Sequence, residues 1–153
     1  GRNGDDTTEA LSRFDTDVLA HRPNVVVIFF GLNDVQNRGL DAAEFTANIA
    51  AMLDRLPSTA APILVTTSTF LPSGGTDWQD MNKRLDVFMD GIRTLARQRN
   101  VLIADVNAAW EHRILGDRSA IESLYVDPMH PSPVGHRLIY DTIMDVLRRQ
   151  LVR

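Results

Sequence analysis

Two short stretches carry residue types that do chemistry. The first is Asp127-Pro128-Met129-His130-Pro131. An imidazole takes and returns a proton near neutral pH, and a carboxylate beside it fixes its tautomer and steadies the cation that forms. Pro131 keeps His130 out of a helix, because the residue before a proline is pushed toward extended backbone. His130 and Asp127 therefore read as a general base and its orienting acid. The second stretch, Gly31-Leu32-Asn33-Asp34, follows the most apolar run in the chain. The Asn33 side-chain amide suits a developing oxyanion, being a donor that adds no net charge. Asp34 reads as structural, bonding loop amides. A nucleophile is the missing part. Ser12 falls on a helix, Ser58 and Ser132 in turn or cap contexts, and Ser68 and Ser73 in one loop. None stands in a G-x-S-x-G elbow.

The elements that must position these residues are legible from periodicity. Asp6, Thr7 or Thr8 is placed to cap a helix whose face is Leu11, Phe14, Val18 and Leu19, and Pro23 ends it. Residues 24–30 form a strand without polar alternation, which predicts burial on both faces of a parallel sheet. A helix is expected over residues 41–56, a strand over 63–67, a long helix over 77–98 and a strand over 101–106. A short helix over 107–115, a mostly irregular stretch over 116–126 and a final helix capped by Ser132 complete the chain. Strands alternating with helices imply βαβ units with right-handed crossovers and helices on both faces of the sheet. The fold expected is α/β, a three-layer αβα sandwich in one domain over residues 1–153. In such sheets ligands bind beyond the carboxyl ends of the strands. The loop carrying Asn33 leaves that edge and the Asp127–His130 loop can return to it.

Composition bounds the function. A formal net charge of −4 with no Lys/Arg-rich tract argues against a nucleic-acid partner held by phosphate contacts. Cysteine is absent, which excludes disulfides, thiolate metal sites and a cysteine nucleophile. The longest apolar run is too short to span a bilayer. His21, His112 and His136 read as surface or packing residues without partners at metal spacing. Trp78 and Phe70 suit either a pocket wall or the core.

Block by block, the chain resembles the SGNH hydrolases, also called GDSL-type esterases and lipases. Gly31-Leu32-Asn33-Asp34 matches that family's G-x-N-D block and Asp127-Pro128-Met129-His130-Pro131 its D-x-x-H-P block. Residues 1–8 resemble its glycine block, which places Gly1 at the oxyanion glycine. The spacing from Gly4 through Arg13, Asp15 and Pro23 to Asn33 agrees with the match. The resemblance implies a flavodoxin-like sheet and an ester hydrolase with a Ser-His-Asp triad and a Gly/Asn oxyanion hole. It implies no metal or organic cofactor, and a small-molecule ester partner: an acylated sugar, a lipid or an aryl ester. The family's serine lies in a block upstream of the glycine block. The expectation is therefore an N-terminally truncated member that lacks the first strand and the strand leading to the glycine, and is inactive by itself. The alternative is a non-catalytic fold of the same type that binds a carbohydrate or a protein. A flavodoxin-like nucleotide domain shares the element order, but the chain has no G-x-G-x-x-G or P-loop.

Overall fold

The structure, a computed structural model, describes residues 2–38, 40–71, 76–117 and 119–151. Gly1 and Ser73, both singled out above, lie outside them.

Capping starts several of the helices. Asp6 accepts from the amides of Thr8 and Glu9 at 2.9 and 3.3 Å, and the Glu9 carboxylate takes the Asp6 amide at 3.1 Å, opening α1 (Thr7–Ser12) with a reciprocal capping box. The helix expected to run on to Pro23 breaks at Arg13 into α2 (Phe14–Asp17) and a 3-10 turn, Leu19–His21. Arg13 is bound to Asp5 and Asp17 on either side, which fixes the junction. Asp41 caps α3 (Ala42–Arg55) through Glu44 N at 2.7 Å, and Asp105 caps α5 (Val106–Gly116) through Ala108 N at 3.2 Å. Ser132 opens the last helix, α7 (Pro133–Leu151), its Oγ accepting from Val134 N and Gly135 N at 3.1 and 3.2 Å. The long helix α4 (Thr76–Arg99) is positioned by its apolar stripe of Leu85, Phe88, Met89, Ile92 and Leu95. A short helix, α6 (Ala120–Leu124), occupies the stretch expected to be irregular. Its two buried residues, Ala120 and Leu124, are spaced one turn apart.

Three parallel strands, β1 (Val25–Phe29), β2 (Ala61–Val65) and β3 (Leu102–Ala104), form a sheet in the order β1-β2-β3. One face, through Val26, Ile28 and Leu64, packs with α1, α3 and α4. Phe45 and Phe88 stack there at 4.6 Å between ring centroids. The other face, through Ile63, Val65 and Ala104, packs with α5, α6 and α7 around Trp110. This is the α/β sandwich expected from the alternating pattern.

The outer strand departs from expectation. β1 alternates between exposed and buried residues rather than being covered on both sides. Val25 and Val27 are each 46% exposed and Phe29 39%. Their uniform apolarity reported a buried strand, but among the described residues α5, α6 and α7 cover β2 and β3 and leave the outer face of β1 open. Phe70 is wholly buried and packs on Trp78 at 5.3 Å, so this pair belongs to the core.

Candidate active site

Both chemical stretches lie at the carboxyl edge of the sheet. Gly31 turns the chain out of β1 with φ +140°, and a Cβ there would come within 2.8 Å of Met89 Cε. Only glycine fits that backbone against the core. The next residues wind into a helical turn whose π-type part is Asp34–Arg38, where an irregular loop was expected. Asn33 sits at its start and donates from Nδ2 to the Asp5 carbonyl at 3.0 Å. That bond sets which end of the amide is the donor. An amide NH2 carries two donors, so the bond orients the group without exhausting it. Asp34 is fully buried and accepts from the Thr7 amide at 2.8 Å and the Thr7 hydroxyl at 2.6 Å. Burial pushes its carboxyl up, against the pull of the Thr7 bonds. The side chain thus locks the turn after β1 onto the start of α1, in the structural role expected of it.

Asn33 borders a cleft of about 260 Å³, with Asp5, Arg13, Gly31 and Thr67 among its walls. Gly1 lies outside the described residues. Gly4, in the turn beside Asp5, holds φ +79°, and the space around its Cα would admit a Cβ. Glycine is required there by the backbone angle and not by crowding. Gly4 is the described glycine next to Asp5, whose carbonyl Asn33 grips.

The second stretch forms a closed loop. His130 Nδ1 lies 2.7 Å from Asp127 Oδ2 and 3.0 Å from Oδ1. Asp127 Oδ1 also accepts from the amides of Met129 and His130 at 3.0 and 2.9 Å. The Met129 amide first, and then His130, hold the Asp127 carboxyl down at about 2. It is therefore ionised throughout the range in which an imidazole titrates. A carboxylate on Nδ1 selects the tautomer with its proton there, and leaves Nε2 as the acceptor. His130 remains exposed. The loop closes through Val126 N to His130 O at 2.9 Å and a bridge between Tyr125 and Pro131.

The two stretches meet through the segment after β2. Leu71 N donates to Pro128 O at 2.7 Å, tying the histidine loop to this segment. Thr67 of the same segment lines the cleft beside Asn33. Phe70 is clamped in both directions by Asn82, at 2.8 and 3.1 Å. The structure thus brings Asp127 and His130 into direct contact and sets Asn33 at the same sheet edge, while His130 stands outside the lining of the Asn33 cleft. Of the serines singled out from the sequence, Ser12 bonds Glu9 O in α1, Ser132 caps α7, and Ser68 is buried. His21, His112 and His136 are exposed, and among the described residues no cluster of His, Asp or Glu is arranged to hold a metal ion.

A sequence profile of the GDSL-like lipase/acylhydrolase family matches residues 1–138. The chain belongs to this family. Among curated relatives, it is 22% identical to an acetylxylan esterase of Geobacillus stearothermophilus, over 91% of this chain and 66% of that protein. It is 26% identical to the lipoprotein YqeF of Bacillus subtilis (strain 168), which is itself uncharacterised, over 95% of this chain and 70% of that one. The chain thus spans about two thirds of the length of these relatives. LAE5, an α/β hydrolase from the metagenome of Lake Arreo, Spain, superposes with a TM-score of 0.79 at 25% identity, over 94% of this chain and 68% of that one. The acetyl xylan esterase AlAXEase gives 0.78 at 24% identity, over 95% and 77%, a likeness of fold. The GDSL-type sandwich is therefore the architecture of this chain. Among its described residues no helix is long and apolar enough to cross a membrane.

Proposed function

We propose that this domain is the His-Asp and oxyanion half of a serine ester hydrolase whose substrates are O-acetylated carbohydrates. The observation that carries the reading is the Asp127–His130 pair, with Nδ1 held at 2.7 Å and Nε2 left to act. Family membership supports ester hydrolysis, and the two acetylxylan esterases among its relatives support the acetyl-sugar class.

In this mechanism His130 Nε2 takes the proton of a serine hydroxyl as its oxygen attacks the ester carbonyl. Asp127 carries the charge of the imidazolium that results. The carbonyl oxygen becomes an oxyanion, stabilised by the Asn33 amide and by a backbone amide of the Gly4 turn. His130 returns the proton to the departing sugar oxygen, leaving an acetyl-serine. His130 then deprotonates a water that attacks that ester, the C–O bond to serine breaks as His130 returns the proton to the serine oxygen, and acetate is released. Because the family resemblance places the nucleophile in a block upstream of the glycine block, and Ser12 and Ser132 are bonded within their own elements, the serine is assigned to sequence outside these 153 residues.

The test is acetate release from acetylated xylo-oligosaccharides and from an aryl acetate. The 153-residue chain should run at the background rate, and a longer form carrying the serine should turn over. Turnover by the chain as it stands would show that one of its own serines is the nucleophile. A serine-bearing form that binds xylo-oligosaccharides and never releases acetate would establish the non-catalytic alternative.

A further inference from the structure

The bonds inside the 125–131 loop fix its shape but not its place. Asp127 with His130, Val126 with His130, and Tyr125 with Pro131 are all internal to it. Among the described residues, two hydrogen-bonded ties reach the segment after β2. One is the Leu71 amide on Pro128. The other is the Tyr125 hydroxyl.

That hydroxyl is buried and saturated. It donates to the Thr69 carbonyl at 3.0 Å, accepts from Trp110 Nε1 at 2.8 Å, and lies 2.8 Å from Thr69 Oγ1. A phenol has one hydrogen and two lone pairs, so these three partners use its whole capacity. The rings of Trp110 and Tyr125 meet edge to face at 5.4 Å, and Trp110 is fully buried in the core of the α5–α7 face. Tyr125 stands two residues before Asp127, at the root of the loop. Its hydroxyl binds Thr69, two residues beyond Thr67 at the Asn33 cleft.

We infer that the Tyr125 hydroxyl is a positioning group: its bonds to Thr69 set the Asp127–His130 loop against the segment that carries the Asn33 cleft. The inference rests on the esterase reading for its consequence in turnover, but the anchor itself can be read without turnover. Side-chain placement matters at this scale, because a displacement of about 1 Å at a reacting group costs on the order of 10²-fold in rate.

The experiment compares Tyr125→Phe with Trp110→Phe in the serine-bearing protein. Tyr125→Phe removes the tie to Thr69. Trp110→Phe removes the indole donor from the same hydroxyl and leaves the tie. Amide hydrogen exchange at Leu71 is the first readout and steady-state kinetics the second. Tyr125→Phe should raise the Leu71 exchange rate at least about tenfold, and lower kcat by about 10–100-fold, within the range for misplaced groups. KM and the pH profile should hold, since the Asp127–His130 pair is internal to the loop. Trp110→Phe should leave kcat and Leu71 exchange within about threefold of the parent. Unchanged Leu71 exchange in Tyr125→Phe would overturn the inference. So would equal losses in both variants, which would mark the network as packing only, or an unchanged kcat where His130→Ala abolishes turnover. An active His130→Ala is a separate result, and it would sink the esterase reading itself.

Discussion

Replacing His130 by alanine in the serine-bearing protein should lower kcat by about four orders of magnitude, toward the residual rate that an oxyanion hole and binding alone provide. Substrate binding should be nearly unchanged, because the loop is held by its backbone bonds to Leu71 and within itself. Asn33→Ala should cost about 10²–10³-fold in kcat, the scale for losing one oxyanion donor. The two losses should not add, since both groups serve the same transition state. Kinetics on an aryl acetate measure both. A His130→Ala form within tenfold of the parent would remove His130 from the chemistry. An Asn33→Ala form that loses only KM would make Asn33 a binding residue.

The second large effect concerns the 153-residue chain expressed by itself. Its β1 presents Val25, Val27 and Phe29 half exposed on one face, and pairs with β2 on one side only among the described strands. No charge or proline interrupts the strand. Such an edge is a template for another chain. Fully burying a Val or Phe is worth about 1.5–3 kcal/mol, so covering the exposed halves of three such side chains gains roughly 2–4 kcal/mol, before any strand pairing. Domain stability is itself only about 5–15 kcal/mol. The chain should therefore associate in a concentration-dependent way in sedimentation velocity. Val27→Lys should restore a monomer, because residue 27 lies on the exposed face, where a charge costs little folding energy and opposes pairing. A monomeric parent chain with a sharp, cooperative melt would show that the strand is protected.

That strand also marks where sequence reasoning stopped. An unbroken run of β-branched and aromatic residues reports that a strand avoids water, but not which neighbour covers each face. Covering depends on helices distant in sequence, and here they stop at β2. The Asp127–His130 pair was legible because it is local: a three-residue spacing with a following proline determines its geometry. Asn33 was legible as a residue, but its partner Asp5, 28 positions away, was not. Gly1, the glycine the resemblance offers for the oxyanion hole, lies outside the described residues. The Tyr125 anchor had no sequence signal, since a tyrosine before a loop resembles any buried aromatic until Trp110 and Thr69 are seen around its hydroxyl. The helix α6 was missed because one apolar turn is too short to show a period.

On this reading His130 and Asn33 act on one reacting centre at the carboxyl edge of the sheet. The most direct measurement is a crystal structure of the serine-bearing protein inactivated by a phosphonate ester, whose tetrahedral phosphorus stands in for the acyl intermediate. A phosphoryl oxygen should lie about 2.7–3.1 Å from Asn33 Nδ2, the range for an oxyanion donor, with His130 Nε2 in hydrogen-bond reach of the modified serine's Oγ. A phosphorus bound elsewhere, or one that neither His130 nor Asn33 approaches, would contradict the assignment.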